Sequence, residues 1–197
     1  MSSLIGFLSL FFAIGINFYL LISRYIFKFQ KLKFNFFIRL SSTLTLLSFF
    51  SLMYAYVISD FSNYNVFQNS HSSKPLIYKI SGTWGNHEGS LLLWLVVLTL
   101  FIFLFLLRSK GLLKKYRILT VLFQQIIILG FFVFLIKSSS PFNYIFPIPN
   151  EGLGLNPILQ DPALAIHPPV LYLGYVGSSI IFSSVLAATT LNYISKA

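Results

Sequence analysis

The chain contains no cysteine. Without thiols it cannot form a disulfide, bind a metal through thiolate or form a thioether on its own residues. Paired cysteines therefore give no indication of the redox compartment, which has to be inferred from membrane topology. The N-terminus also lacks a basic start and a small-residue cleavage site after its first apolar run. This pattern indicates a retained membrane span rather than a cleaved signal peptide.

Charge is scarce as well, with 9% charged residues and four acidic residues in 197. Hydrophobic residues make up 56% of the chain and 23 residues are Phe, which is more apolar surface than a soluble domain of this length can bury. The net charge of +10 comes from basic residues in short segments between apolar runs. That distribution indicates membrane topology and excludes a nucleic-acid surface, which would place basic residues beside stacking aromatics.

Five apolar segments are long enough to cross a hydrocarbon core of about 30 Å at about 1.5 Å per residue. They run approximately over Leu4–Ile22, Leu40–Ile58, Leu91–Leu107, Ile118–Ile136 and Val170–Leu191. The sequence therefore predicts an all-α, polytopic membrane protein with one membrane domain over residues 1–197. Outer loops are expected at about 59–90 and 137–169.

The basic residues predict how these spans are oriented. One side of the predicted topology holds 11 of the 14 basic residues and none of the acidic ones. The other side holds three lysines with all four acids, so the positive-inside rule places the N-terminus outside and the C-terminus inside. The three histidines, His71, His87 and His167, are then all predicted to lie on the outer face.

The predicted spans contain no ionisable residue near mid-depth. Their polar content is Asn, Gln, Ser and Thr, side chains that commonly join neighbouring membrane helices. A secondary transporter would be expected to carry a proton relay or a buried counter-ion pair. A haem conduit or exporter would also need polar groups along its path, so it is the weaker alternative unless partner chains complete that path.

The two outer loops have different characters. The first begins with the Asn- and Ser-rich segment Ser62–Ser73, which we interpret as a solvated loop without a site, with His71 incidental. The second holds seven of the eight prolines, which disfavour a long helix. Nine apolar residues predict that it is nevertheless ordered: Phe142, Tyr144, Ile145, Phe146, Ile148, Leu153, Leu155, Ile158 and Leu159.

Residues 84–94, W-G-N-H-E-G-S-L-L-L-W, lead into the third span. Structural roles explain most of this motif: Trp84 and Trp94 as interfacial anchors, Glu88 as an acid favoured in a first helical turn, and glycines in the entry turn. His87 and Glu88 together are more than a helix cap requires. They are therefore candidate site residues.

Residues 161–177 place a histidine before two prolines at the start of the last span. A residue before proline favours extended backbone, and proline is tolerated at a helix start. We therefore predict that His167 lies on stiff, extended backbone at the outer interface. Neutral imidazole is a natural ligand for haem iron, and Tyr172 and Tyr175 would suit a porphyrin ring. The alternative is an interfacial histidine with both tyrosines in the aromatic belt.

Residues 84–94 and 155–177, L-N-P-I-L-Q-D-P-A-L-A-I-H-P-P-V-L-Y-L-G-Y-V-G, closely resemble the N-terminal part of the CcmF family, the haem lyases of the System I cytochrome c maturation pathway. The order and spacing of the motifs among five spans extend the resemblance over most of the chain. The other helices are biased toward Phe, Leu, Ile, Asn and Lys. This bias is typical of an AT-rich organelle genome and favours the mitochondrial inner membrane over a bacterial inner membrane.

The resemblance implies a part in covalent attachment of haem b to apocytochrome c at the outer face of the bilayer. It implies as partners a CcmE-like haem chaperone and a CcmH-like protein that presents thiols. Two outer-face histidines hold haem in the family, and His167 matches the first, so it is the expected axial ligand of the iron. Weaker candidates for the haem or partner surface are Trp84, His87, Glu88, Asp161, Pro168, Pro169, Tyr172 and Tyr175.

In the family, the tryptophan-rich haem platform, the second outer histidine and the histidines of a membrane-buried b-type haem lie beyond the part that this chain resembles. We therefore expect them on one or more further CcmF-type subunits. The chain would then hold no catalytic residue of its own and be inactive alone, as a split mitochondrial subunit or as a fragment. A purely structural assembly subunit is the remaining alternative.

Overall fold

A computed structural model describes residues 1–26, 31–157 and 160–193. Across these residues the chain forms eight α-helices and one short 3-10 turn, Ser109–Gly111. The helices are α1 Ser2–Ile26, α2 Lys31–Val57, α3 Tyr64–Asn69, α4 Leu76–Gly82, α5 His87–Arg108, α6 Lys114–Ser138, α7 Pro162–Tyr175 and α8 Ser178–Leu191. The extended pairing seen in the described ranges is a single bridge between Asn63 and Tyr144.

Five helical segments of 22 to 27 residues are long and apolar enough to cross a bilayer. They confirm the predicted all-α membrane fold with five spans. The helices extend past the predicted spans because polar and charged residues near the interface continue them. For example, α2 begins at Lys31 rather than Leu40.

Helix α5 packs against α2, α6, α7 and α8. Helix α1 packs against α2 and α6 and so closes a four-helix ring, while α8 lies along α6. Fully buried residues fill the ring from each side: Leu20, Ile38, Leu52, Leu92, Leu98, Ile128 and Phe132. Packing against these helices holds α5, and with it the residues at its N-terminal end, in place.

Amide and hydroxyl side chains join the helices inside the bundle, as predicted. Asn17 of α1 donates to Ser41 of α2. Gln124 of α6 donates to Ser179 Oγ at 2.8 Å and accepts from Ser183 Oγ at 2.8 Å. The buried amide of Gln124 therefore bonds α6 to α8 through two hydrogen bonds, the arrangement that holds membrane helices together.

The two predicted outer loops form one layer at one end of the bundle, which we call the outer layer: residues 58–86, 139–157 and 160–161. The layer is held by hydrogen bonds from Tyr64 N to Asn143 O (2.8 Å), Ile145 N to Ser62 O (3.0 Å), Leu153 N to Phe67 O (2.8 Å) and Gly154 N to Ser70 O (3.0 Å). The N-terminus lies at this end, because Ser2 Oγ donates to Asp60 Oδ2 at 2.9 Å. At the opposite end, Tyr193 packs on Tyr116 with ring centroids 5.1 Å apart.

The prediction of a solvated loop over Ser62–Ser73 is wrong. Helix α3 lies inside that segment, and Asn63 and Asn65 are 0% and 4% exposed. The Asn63 side chain accepts from Asn65 N and Val66 N at the start of α3 and donates to Pro141 O at 3.1 Å. Polar side chains can be buried when their hydrogen bonds are satisfied, so composition alone misjudged this segment.

The apolar residues of the second loop are only partly buried. Phe142 and Leu155 are inside the outer layer, whereas Tyr144, Phe146 and Leu153 are 63%, 83% and 71% exposed. Ile158 and Leu159 lie outside the described residues. The loop is thus held mainly by its backbone hydrogen bonds to the first loop.

The last span is two helices rather than one. A turn at Val176 and Gly177 separates α7 from α8. A Cβ at Gly177 would lie 2.4 Å from Leu173 O and 2.5 Å from the Phe101 ring of α5. The glycine is therefore required at the break, because the Leu173 carbonyl and the Phe101 ring leave no room for a Cβ.

Candidate functional site

A cleft opens where the junction of α4 and α5 meets the first turns of α7. Its volume is about 310 Å³, at the lower end of ligand-pocket sizes. It is lined by Ser81, Trp84, Gly85, Asn86, His87, Ser90, Leu155, Ala165, Pro168 and Tyr172. The cleft brings together the two motifs of the sequence, which lie about 80 residues apart.

Asn86 explains why the first motif folds as it does. Its side-chain oxygen accepts from Gly89 N at 2.8 Å, the interaction of a helix N-cap. Its amide nitrogen donates to Gly82 O at 2.6 Å and Tyr56 Oη at 2.9 Å. Asn65 Nδ2 donates to both Asn86 Oδ1 (2.9 Å) and Glu88 Oε2 (3.1 Å). Glu88 therefore belongs to a structural network that joins α2, α3 and α5.

The sequence identified Glu88 but missed Tyr56, Asn65 and Asn86. An Asn directly before an acidic first turn is a helix-start signal, so Asn86 could have been identified as a cap. Nothing local distinguishes Asn65 from the other residues of its Asn- and Ser-rich segment. Only its position opposite Asn86 and Glu88 gives it a role.

The first turn of α7 is organised by Asp161. Its Oδ1 accepts from Ala163 N at 2.8 Å, and its carbonyl accepts from Ala165 N at 2.9 Å. Asp161 thus acts as a helix cap, on the rim of the site rather than in the cleft. The helix starts eight residues before the predicted start at Val170.

His167 lies inside α7, together with Pro168 and Pro169. The prediction of extended backbone at this histidine is therefore wrong. A proline inside a helix removes one hydrogen bond and crowds the carbonyl four residues before it, and here one of the two freed carbonyls accepts from a side chain of another segment. Trp84 Nε1 donates to Ala165 O at 2.8 Å.

The tyrosines of α7 meet a tryptophan of α5. Tyr172 and Tyr175 lie 5.2 Å and 6.1 Å from Trp94 by ring centroids, and Trp94 also stacks on Phe131 at 5.2 Å. Tyr172 is half-buried in the cleft wall, whereas Tyr175 is 69% exposed. Trp94 thus packs inside the bundle against α6 and α7 rather than only anchoring the chain at the interface.

The three histidines lie at the end of the bundle that carries the outer layer but do not converge. His167 is exposed on the side of α7 away from the cleft. His87, the first residue of α5, is exposed with its ring 6.4 Å from Phe134. His71 Nδ1 lies 2.8 Å from Ser73 Oγ and 3.9 Å from Glu151. Residues 1–26, 31–157 and 160–193 contain no cluster of three or more His, Cys, Asp or Glu side chains that could hold a metal ion.

The outer layer also contains a perturbed carboxyl. Hydrogen bonds from the Ser72 hydroxyl and backbone N–H lower the pKa of Glu151 to about 2. The negative form accepts these bonds, so they stabilise the ionised state. Glu151 thereby fastens the second loop to the first at neutral pH.

Comparison with known proteins places these motifs in a family. Residues 84–196 match the family described as "Cytochrome C assembly protein". The cytochrome c-type biogenesis protein CycK of Rhizobium meliloti is 52% identical over 141 residues, which are 72% of this chain and 21% of the relative. The cytochrome c-type biogenesis protein CcmF of Escherichia coli is 38% identical over 142 residues, 72% of this chain and 22% of that protein.

A solved structure, "Cytochrome c Heme Lyase CcmF", superposes with a TM-score of 0.80 at 24% identity and covers 100% of this chain and 32% of that one. The fold is therefore shared. The chain spans about one fifth of the length of the curated relatives it matches. The family match, which includes both motifs, shows that the chain belongs to the cytochrome c assembly protein family.

Proposed function

We propose that this chain is the N-terminal part of a CcmF-type cytochrome c haem lyase and that His167 supplies one axial ligand to haem at the outer face. The observation that carries the proposal is the placement of His167. It is exposed at the head of α7, at the end of the molecule where both outer loops and the N-terminus gather. The haem here is the substrate that is attached to apocytochrome c.

The surroundings of His167 suit an apolar, planar ligand. On the outward side of α7, Ile166, Val170 and Leu171 are 61%, 62% and 49% exposed, and Tyr175 adds an exposed ring. A neutral imidazole beside apolar side chains is the donor type that haem iron takes. Trp84, Pro168 and Tyr172 face the cleft instead, and Pro169 is half-buried. Their proposed contribution is to support α7 rather than to touch haem.

A single histidine leaves the iron and the porphyrin incompletely held. The remaining ligand and the tryptophan-rich platform are proposed to come from further CcmF-type polypeptide, with a CcmE-like haem chaperone, a CcmH-like thiol-presenting protein and apocytochrome c as transient partners. The proposed membrane is the mitochondrial inner membrane, supported by the compositional bias. The named relatives are bacterial, so a bacterial inner membrane is the alternative. Detection of the chain in purified mitochondria of its source would decide between them.

The test of the ligand role uses His167→Ala and His167→Gly in membranes that also contain the companion subunit. We expect haem occupancy and cytochrome c yield to fall at least roughly tenfold, since even the supporting partners of metal ligands are worth 10–100-fold. Imidazole added to the Gly variant should restore part of the occupancy. His71→Ala is the matched control, because His71 shares the outer end but is engaged with Ser73.

Unchanged occupancy and yield in both His167 variants would refute the ligand role. That result would favour the alternative in which the chain is a structural subunit of the assembly. A His71→Ala loss as large as that of His167→Ala would also contradict the proposal, because it would indicate a general requirement for outer-layer integrity.

A further inference from the structure

Pro169 removes a hydrogen-bond donor from the interior of α7. In an α-helix the N–H of residue i bonds to the carbonyl of residue i−4, so position 169 would serve Ala165. Proline has no N–H, and the Ala165 carbonyl is left without its helical partner on a residue only 4% exposed. A buried carbonyl in this state requires another donor.

Trp84 is that donor. Its Nε1 lies 2.8 Å from Ala165 O, across 81 residues of sequence. The indole N–H can donate but not accept, which matches the need of a carbonyl oxygen. The ring itself is placed by stacking on Phe49 of α2, with centroids 6.4 Å apart and planes inclined by 18°.

The hydrogen bond from Trp84 to Ala165 O holds the side of α7 that lies opposite His167. Two residues along an α-helix correspond to about 200° of rotation, so Ala165 and His167 face nearly opposite sides of α7. Ala165 is buried against the cleft and His167 is exposed. Fixing Ala165 toward α5 therefore points His167 away from the bundle.

We propose that Trp84 is a positioning residue whose indole N–H replaces the helix bond that Pro169 cannot make, and so sets the direction in which α7 presents His167. The consequence for haem rests on the proposed function, whereas the geometric part stands without it. Trp84 is then a support for the helix that carries His167, rather than an interfacial anchor or a haem-surface residue.

The test measures Trp84→Phe in three backgrounds. Phenylalanine keeps an aromatic ring on Phe49 but loses the N–H. In the Pro169→Ala background, the substituted alanine supplies a backbone N–H to Ala165 O and makes the indole donor unnecessary. Pro168→Ala is the matched control, because an N–H at position 168 bonds to the carbonyl of residue 164 and leaves Ala165 unserved. The cycle isolates the coupling between the indole and the missing N–H.

The first readout does not involve haem. The chain has no cysteine, so spin labels can be placed at Ile77→Cys and Ile166→Cys as its two cysteines, at positions where the native side chains are 50% and 61% exposed. The labelled full chain is then combined with its companion subunit. Trp84→Phe should broaden the distance distribution in the chain with both native prolines and in the Pro168→Ala background. With Pro169→Ala the same substitution should leave the distribution narrow.

The second readout is haem occupancy in the same backgrounds without the cysteine substitutions and spin labels. Trp84→Phe should lower it roughly fivefold, the factor that a typical net hydrogen bond is worth, and by less than about twofold in the Pro169→Ala background. An unchanged distance distribution in Trp84→Phe overturns the inference. Equal broadening with and without Pro169→Ala also overturns it, because the ring rather than the N–H would then act. A broadened distribution with unchanged occupancy supports the positioning role and refutes the haem-ligand function instead.

Discussion

Asn86 uses every hydrogen-bonding group of its side chain. Its oxygen accepts from Gly89 N and Asn65 Nδ2, and its nitrogen donates to Gly82 O and Tyr56 Oη. A primary amide offers two donors and one oxygen with two lone pairs, so this set is complete. Asn86 therefore joins α2, α3 and α5. Its bonds also hold the backbone next to the titratable residues His87 and Glu88.

Replacing Asn86 with Ala should destabilise the chain by roughly 2–4 kcal/mol. The change removes a helix cap, worth about 0.5–2 kcal/mol, and leaves buried partners unsatisfied at roughly 1–3 kcal/mol. Thermal melting in detergent followed by circular dichroism measures the effect. Ser90→Ala, which loses a single local bond to His87 O, is the control and should change the melting temperature little. Equal melting of both variants would show that the network does not contribute to stability.

Gly89 is fixed by the backbone that faces it. A Cβ there would lie 1.6 Å from Thr83 O, and a backbone carbonyl cannot move aside as a side chain can. We expect Gly89→Ala to displace the start of α5 and to reduce the yield of folded protein severalfold or more. Gly130→Ala is the matched control, because nothing lies within 4 Å of a Cβ at Gly130. That substitution in the interior of α6 should be neutral or stabilise by up to about 1 kcal/mol. Folded yield after size-exclusion chromatography separates the two expectations, and normal folding of Gly89→Ala would contradict this geometry.

At the scale of elements, the outer layer depends on a few contacts between its two loops. Ser72 N donates to Glu151 Oε1 at 2.9 Å, next to backbone bonds at Leu153 and Gly154. The pKa of Glu151 is held at about 2 by the Ser72 hydrogen bonds, against an ordinary value of 4.5. The depressed pKa means that this contact stabilises the layer above pH 4.5 and is lost as the pH falls toward 2.

Spin labels at Ser73→Cys and Leu153→Cys should therefore report a narrow separation at pH 6 that broadens progressively between pH 4.5 and pH 2. Glu151→Gln should show the broad distribution at all these pH values, because the neutral amide accepts more weakly than the carboxylate. His71→Ala should retain most of the pH dependence, since His71 is the smallest of the causes that lower the pKa of Glu151. A pH-independent separation in the unmodified chain would contradict the assignment.

Helix α7 shows how a tertiary contact overrides a local rule. A histidine before two prolines favours extended backbone, yet residues 162–175 are helical. The bond from Trp84 to Ala165 O compensates for one of the two donors that Pro168 and Pro169 lack. Asp161 adds a cap at the N-terminal end. The helix that carries His167 is thus bonded to a residue from another segment at the carbonyl that Pro169 leaves free.

At the scale of the whole molecule, Ser2 and Tyr193 lie at opposite ends of the bundle, as an odd number of spans requires. Ser2 meets Asp60 in the outer layer, whereas Tyr193 meets Tyr116 at the other end. Which end faces the outer compartment remains a prediction from the basic residues. This orientation decides whether the histidines can meet haem and apocytochrome c at the proposed face.

Single cysteines test the orientation directly, because the chain has none of its own. Leu76→Cys lies in the outer layer and Leu113→Cys in the basic connection before α6, at 58% and 47% exposure of the native side chains. A membrane-impermeant maleimide added from the outer side should label position 76 in intact membranes and position 113 only after permeabilisation. The reverse pattern would invert the topology and exclude haem attachment at the proposed face.

The sequence by itself determined the five spans, the helical class, the grouping of basic residues and the family. Each of these depends on properties that are local or additive along the chain: the length of apolar segments, the distribution of charge and the sequence of the motifs. The positions of His167 and Glu88 were also identified as candidates from residue type and motif alone.

Only the tertiary structure decided how those candidates are placed. Burial of Asn65, the role of Asn86 as a junction and the helical state of His167 depend on contacts between segments 20 to 80 residues apart. Such contacts decide whether individual donors and acceptors have hydrogen-bond partners. The partners in turn influence both backbone conformation and side-chain direction. For this reason His167 could be found in the sequence, whereas the indole that supports its helix could be found only in the fold.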